Sequence, residues 1–217
     1  MNIFEYWPEL ADGIRYTLQI TFSAFAIAIV LGIPLTVMRL SRFKALRAIA
    51  IAYVELIRGL PPLTWLFLVF FGLPALGLML TPIAAGTLVF GVIYSSYMVD
   101  VYRSGLRAVP TGQREAALAT GLSPVTTYRK VLIPQAFRTI LPSCISYLIA
   151  LLKDSSIVSV IGVLDITALA LTMGQGNPES LTIFVSAAAM YLVISAPIGI
   201  AARSWGDRLR HDKVRVS

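Results

Sequence analysis

The residues able to do chemistry in this chain are few, and they sit in apolar surroundings. "LLKDSSIVSV" places Lys153, Asp154, Ser155, Ser156 and Ser159 inside a long hydrophobic run. "YVELIRGLPPLTW" places Glu55 and Arg58 next to Gly59, Pro61 and Pro62 inside another. A charge at a bilayer centre costs about 2.5–3.5 kcal/mol on insertion scales, so such residues normally face a cavity or a partner. Asp154 suits the ammonium group or basic side chain of a solute. Together with Arg58, Lys153 and Ser155 it forms a candidate lining for a polar path. A structural ion pair to another span, with Arg58 or Glu55, accounts for the same charges, and the two readings are compatible. Neighbouring helical residues diverge by about 100°, so Lys153 and Asp154 do not satisfy each other side-on. Glu55 and Arg58 share a helical face, which leaves an in-helix pair open to them; Asp100 and Arg103 have the same spacing and are expected to pair at the cytoplasmic rim.

Nothing in the chain resembles a catalytic triad, a metal cluster or a cofactor loop. A G-x-x-x-x-G-K-[ST] phosphate loop is missing from the sequence, so any ATP used must be hydrolysed by another chain. His211 sits in a basic tail and reads as a solvated residue. Cys144 is the single cysteine and lies in an apolar run, which reads as packing and allows no intrachain disulfide.

The elements that position these residues follow from composition. The chain has 217 residues, 57% hydrophobic and 13% charged, with a mean hydropathy of +0.79. Soluble domains carry about 25% charged residues, and a fold of this size still exposes roughly a third of its surface. The bilayer is the natural solvent. Net charge is +7, which in a soluble protein would suggest nucleic acid; here its distribution along the chain matters more, and no nucleic-acid partner is expected.

A spanning helix needs about 20 mostly apolar residues. Five stretches qualify: about Thr17–Met38, Ala48–Gly72, Thr81–Val101, Ala136–Ile161 and Leu181–Ala202. The second is expected to kink or break near Gly59, with its amphipathic first part near the cytoplasmic headgroups. The acidic start "MNIFEYWPELADGIRY" lacks the basic region of a cleavable signal, so the first span reads as uncleaved. Trp65, Trp205, Tyr102 and Tyr191 read as interface anchors or packing residues.

Lys and Arg alternate between loops. Arg39, Arg42, Lys44 and Arg47 follow the first span; Arg103, Arg107, Arg114, Arg129 and Lys130 lie between the third and fourth; Arg203, Arg208, Arg210, Lys213 and Arg215 close the chain. The other connections, "LPALGLML" and "GVLDITALALTMGQGNPES", have none. The positive-inside rule therefore places the N-terminus outside and the C-terminus in the cytoplasm. The fold class is all-α, a single transmembrane domain over residues 1–217.

The long cytoplasmic connection, about residues 102–135, is not composed like a linker. Thr111 or Gly112 can cap a helix, with Glu115 in its first turn. "QREAALAT" is rich in helix formers, and Gly121 can close the helix in the left-handed conformation. Ser123-Pro124 is a second start signal, and Pro134 is expected to stop that turn. Ala116, Ala117 and Ala119 leave the first helix smooth enough for close approach by a partner.

The stretch resembles the "EAA" loop of ATP-binding-cassette (ABC) importer permeases: Glu-Ala-Ala, three residues, Gly, nine residues, then Ile-x-Leu-Pro. Here Glu115-Ala116-Ala117 precedes Gly121, and Val131 and Ile133-Pro134 stand at the later positions. Val131 replaces the family Ile, and Ile133 the family Leu. "ELIRGLPPLTWLFLVFFGLP", "YMVDVYRSGLRAVPTGQREAA", "IPQAFRTILP" and "LLKDSSIVSVIG" are similar to the polar amino-acid branch, with Leu60 and Asp100 as departures. The resemblance covers about Ala11 to Arg210.

It implies a bacterial inner-membrane, multi-pass permease subunit that moves a polar amino acid or close derivative. It implies that Gly112, Gln113, Glu115, Ala116, Ala117, Gly121 and Pro134 form a coupling element docking on an ATPase. The implied partners are two ABC ATPase subunits carrying ATP and Mg, a second permease subunit of the same or a related chain, and an extracytoplasmic solute-binding protein. The chain itself would need no cofactor. The alternatives are an independent channel or ion-driven carrier, and a non-transporting scaffold.

Overall fold

A computed structural model describes the backbone of residues 3–214 and the side chains of residues 3–201. The readings of Trp205, His211 and the cationic tail concern side chains outside the described residues. The helices are α1 Trp7–Ala11, α2 Ile14–Leu40, α3 Lys44–Arg58, α4 Pro62–Gly72, α5 Pro82–Arg107, α6 Thr111–Ala119, α7 Pro124–Thr127, α8 Ile133–Asp154, α9 Ile166–Gly174 and α10 Ser180–Val214. A π-helical turn, Tyr128–Leu132, joins α7 to α8, and a 3₁₀ segment, Ser155–Ile161, extends α8. Four helical stretches are long and apolar enough to span a bilayer, and the bent pair α3 and α4 supplies a fifth crossing.

Glycine contacts give the helix directions. An added Cβ at Gly86 would meet Ile20, one at Gly91 would meet Ile27, and one at Gly32 would meet Met98 and Tyr102. Residue numbers rise together on α2 and α5, so the two helices run parallel. Cys144 lies against Met98, and Asp154 against Tyr94, so α8 runs antiparallel to α5. Gly199 faces Ile149, while Lys153 and Ser156 share a groove with Ser195 and Tyr191, so α10 runs antiparallel to α8. Two consecutive spans can run parallel only if the chain between them crosses back. The α3–α4 pair therefore is a crossing, although it bends by 94°.

The break has a local cause. Pro61 takes an extended conformation (φ −59°, ψ 144°) and Pro62 opens α4, where its missing N–H costs no helical bond. Broken backbone in hydrocarbon must still be hydrogen-bonded. The Gly59 N–H donates to the carbonyls of Glu55 and Leu56, and the Trp65 indole donates to the Ile57 carbonyl at 3.0 Å. Trp65 is thus the residue that seals the bend.

At the bundle centre, α5 is 61% buried against 28–33% for the other long spans, so it is the hub. Phe90, Met98, Leu66, Ile20 and Leu151 pack around it without exposure. A second core of Leu10, Ile166, Ala170, Ile183, Ala187 and Met190 closes the outer end. There α9 sits in a connection that sequence alone left unstructured. Asp165 caps it, accepting from the Ala168 N–H at 2.9 Å and the Tyr191 hydroxyl at 3.1 Å. Burial pushes the Asp165 carboxyl upward, and those hydrogen bonds oppose the shift. Tyr6 donates to Glu179 at 2.8 Å, tying the N-terminal segment to the start of α10. Donation to the Glu179 carboxylate pushes the Tyr6 hydroxyl up to about 12.

Three expectations need correction at the cytoplasmic end. The residue preceding α6 is Pro110; Thr111 and Gly112 lie inside the first turn, and neither caps it. Glu115 accordingly falls beyond that turn. Pro134 does not stop the second helix: the Ile133 N–H bonds to the Tyr128 carbonyl, and that wider turn carries the helix into α8 with Pro134 in its first turn.

The α5–α8 contact tests this packing. A Cβ at Gly105 would lie 2.3 Å from Ile140 Cγ1. Overpacking of this kind costs about 1–3 kcal/mol. Gly105→Ala should lower the unfolding temperature in detergent, and adding Ile140→Ala should make the double variant less destabilised than the two single changes summed.

Candidate functional site: a polar seam and a cytoplasmic elbow

Because α3 ends at the break, Arg58 projects from its last turn toward α5. Its Nη1 donates to the Asp100 carboxylate at 2.7 Å, its Nε to Ser96 Oγ at 3.1 Å, and its Nη2 to the Ser96 carbonyl. The guanidinium also lies 4.5 Å from the Tyr97 ring centre. A planar fork with five donors suits this set of acceptors; a lysine would not reach them all. Arg58–Asp100 is the ion pair within 4 Å among the described residues. Among the described residues neither the Glu55–Arg58 pair nor the expected Asp100–Arg103 pair is formed, because the break carries Arg58 to Asp100.

Tyr97 stacks on Tyr147 (centroids 5.2 Å, 20°), and Tyr94 meets both edge-on. The Tyr94 hydroxyl donates to Asp154 at 2.8 Å. A continuous seam thus runs from Asp100 through Arg58, Tyr97, Tyr147 and Tyr94 to Asp154. Tyr94 and Asp100 are six residues apart on α5, so the seam rises about 9 Å along the bundle. Asp100 is about half exposed and Asp154 partly so, which leaves each carboxylate accessible beyond its partner.

Lys153 and Asp154 diverge as their helical spacing requires. Lys153 is exposed and turns into a groove of about 440 Å³ between α8, α9 and α10, where Ser156, Thr167, Tyr191 and Ser195 supply hydroxyls. The ion pairs considered for Lys153 and Asp154, with Glu55 or Arg58 on another span, are not formed among the described residues. Ser155 is 1% exposed and donates to the Leu152 carbonyl, so it faces the core and not a path. The helix tightens to 3₁₀ there, which breaks the polar stripe read from α-helical spacing.

The sequence reading missed Tyr94, Ser96, Tyr97 and Tyr147. Tyr94, Tyr97 and Asp100 recur at three-residue spacing on one face of α5, a signal present in "YSSYMVD". Tyr147 carried no comparable local mark.

At the cytoplasmic end, α6 exposes Gly112, Gln113, Glu115 and Ala116. Ala117 is 7% exposed and faces inward, unlike its expected place on an exposed docking face. Gln113 is tied to Gln135 at 3.0 Å, so α6 is held against the start of α8. Gly121 has φ +81°, and the Gly121 and Leu122 N–H groups close the helix on Leu118 and Ala117 carbonyls. Ser123 then caps α7, accepting from the Thr126 N–H. Pro134 is exposed where α8 begins.

Five crossings, a charged seam inside them and an exposed helical elbow define a multi-pass permease subunit. The chain belongs to the family of binding-protein-dependent transport system inner membrane components, whose family model matches residues 24–211. It is 32% identical to the probable glutamine ABC transporter permease protein GlnM of Bacillus subtilis, covering 95% of this chain and 96% of that protein. It is 33% identical to the arginine transport system permease protein ArtQ of the same organism, covering 86% of each. A solved amino acid ABC transporter with histidines matches with a TM-score of 0.87 at 33% identity, covering 94% of this chain and 95% of that one. The MetNI methionine ABC transporter, at 22% identity and a TM-score of 0.79, shares the fold.

The seam makes a measurable claim. In a double-mutant cycle, Arg58→Gln and Asp100→Asn should show coupling of about 1 kcal/mol, reduced from a buried pair by partial exposure. Thermal unfolding in detergent reads it, and additive effects would mean that the pair does not hold α3 to α5.

Proposed function

We propose that this chain is the membrane-spanning subunit of an ATP-driven importer of a polar amino acid or close derivative in a bacterial inner membrane. The observation that carries the reading is the α6 elbow. An exposed helical face is set by a left-handed Gly121 and fixed through Gln113 and Gln135 to a membrane span. A push on that face is transmitted as a lever because the elbow is bonded to α8, and α8 in turn carries Asp154. Two ATPase subunits would supply ATP and Mg and engage Gly112, Gln113, Glu115 and Ala116. An extracytoplasmic binding protein would deliver solute, and a second permease subunit would complete the path.

ATP must bind the closed ATPase pair better than the open one for the spans to shift between inward-open and outward-open. Amino-acid cargo is supported by relatives named for glutamine and arginine transport. Within the spans, Asp154 offers a carboxylate to an amino group, and Lys153 offers an ammonium to a carboxylate from a different face of α8.

Two measurements test the reading. Gly121→Val puts a β-branched residue at φ +81° and should reduce uptake at least tenfold and weaken ATPase co-purification, with membrane insertion intact. Normal uptake and co-purification would remove the coupling role. Asp154→Asn should lower substrate-stimulated ATP turnover in the reconstituted complex; transport by the purified chain alone in liposomes would favour an independent carrier instead.

A further inference from the structure

The turn between α2 and α3, with the helix ends that flank it, carries Arg39, Arg42, Lys44 and Arg47, and no acidic residue lies between Arg39 and Glu55. We propose that this turn is a binding site for an anionic phospholipid, its headgroup phosphate held by these cations and its acyl chains by Phe43, Leu46 and Ile49. The inference rests on the membrane orientation and is independent of the cargo.

Depth is set by helix length. The 27 residues of α2 rise about 40 Å, longer than a hydrocarbon core of about 30 Å. Its last turn and the start of α3 therefore emerge in the headgroup layer, on the side that the Lys and Arg distribution assigns to the cytoplasm. At that depth every residue from Arg42 to Ile49 is exposed, with Phe43 at 59% and Ile49 at 56%. Cations and large apolar side chains alternate there along the chain. Arg42 lies over the Phe43 ring at 5.2 Å, which leaves its guanidinium edge for an acceptor. Arg39 lies partly buried in the last turn of α2 with no carboxylate within 4 Å among the described residues, so its charge is left for an external anion. No side chain caps the start of α3, so its first N–H groups add donors facing the same layer.

The chemistry selects lipid over protein. The centre of a protein interface is depleted in charged residues, whereas this surface mixes four like charges with exposed Phe, Leu and Ile. An amphiphile with an anionic head and apolar tails satisfies both at once.

The test uses the chain in the complex it purifies with, in nanodiscs of phosphatidylcholine containing phosphatidylglycerol. Spin-labelled forms of the two lipids report their relative association with the protein. The wild-type complex should prefer phosphatidylglycerol by about fivefold or more, the preference expected for even one cation at an anionic surface. The combined variant Arg39→Gln, Arg42→Gln, Lys44→Gln, Arg47→Gln should bring the ratio to about one. Replacing the three arginines by lysine should retain it, as should Arg129→Gln with Lys130→Gln elsewhere on the same side. No preference in the wild type, or a preference unchanged in the glutamine variant, overturns the proposal. Should the glutamine variant fail to assemble, a single Arg42→benzoylphenylalanine photo-crosslinker decides: phospholipid adducts support the site, and adducts to a protein subunit overturn it.

Discussion

The fold depends on the close parallel packing of α2 on α5. Gly32 and Gly91 leave no side chain between the two helices, and a Cβ at either would fall within 2.7 Å of the facing helix. Helices in a membrane gain nothing from apolar burial that lipid does not already provide, so close van der Waals contact of this kind is what holds them together. Because the two consecutive spans point the same way, the connection between them has to return across the bilayer. That requirement gives the α3–α4 crossing its place, and the crossing in turn places Arg58.

The bend is also where the polar chemistry enters. A chain broken at Gly59–Pro61 has unpaired backbone groups in a medium without water, and Trp65 takes the Ile57 carbonyl. The same bend aims Arg58 at Ser96 and Asp100 on the hub helix. Fold and seam therefore have one cause. The hydrogen bonds that make a broken span tolerable also line up charges and aromatic rings through the bundle. On the cytoplasmic side α7 and the π-helical turn run into α8 without interruption, and Gln113–Gln135 ties α6 to the same helix, which ends at Asp154.

The likeness to other permeases of this family covers nearly the whole chain. The basic α2–α3 turn belongs to neither seam nor elbow. It lies at headgroup depth because α2 is longer than the hydrocarbon is thick.

Much of this was legible in sequence, because lipid imposes simple rules. Apolar runs marked the spans, Lys and Arg marked the sides, Pro61 and Pro62 marked the break, and Gly121 with Ser123-Pro124 marked the elbow. These are local properties: hydropathy, a fixed φ, a missing N–H, a hydroxyl three residues before an amide. Partner choice was not local. Spacing along the helix offered Arg58 to Glu55 and Asp100 to Arg103, yet the break turned Arg58 to Asp100, and packing against α5 drew Tyr94 to Asp154. Ser155 and Ala117 had the right types but were turned inward by a 3₁₀ tightening and by the seat of α6. The sequence by itself determined where the chain crosses and bends, since those follow from each segment's own solvation and backbone freedom. Only the tertiary structure decided which charge meets which, since that depends on directions set by helices far apart in the chain.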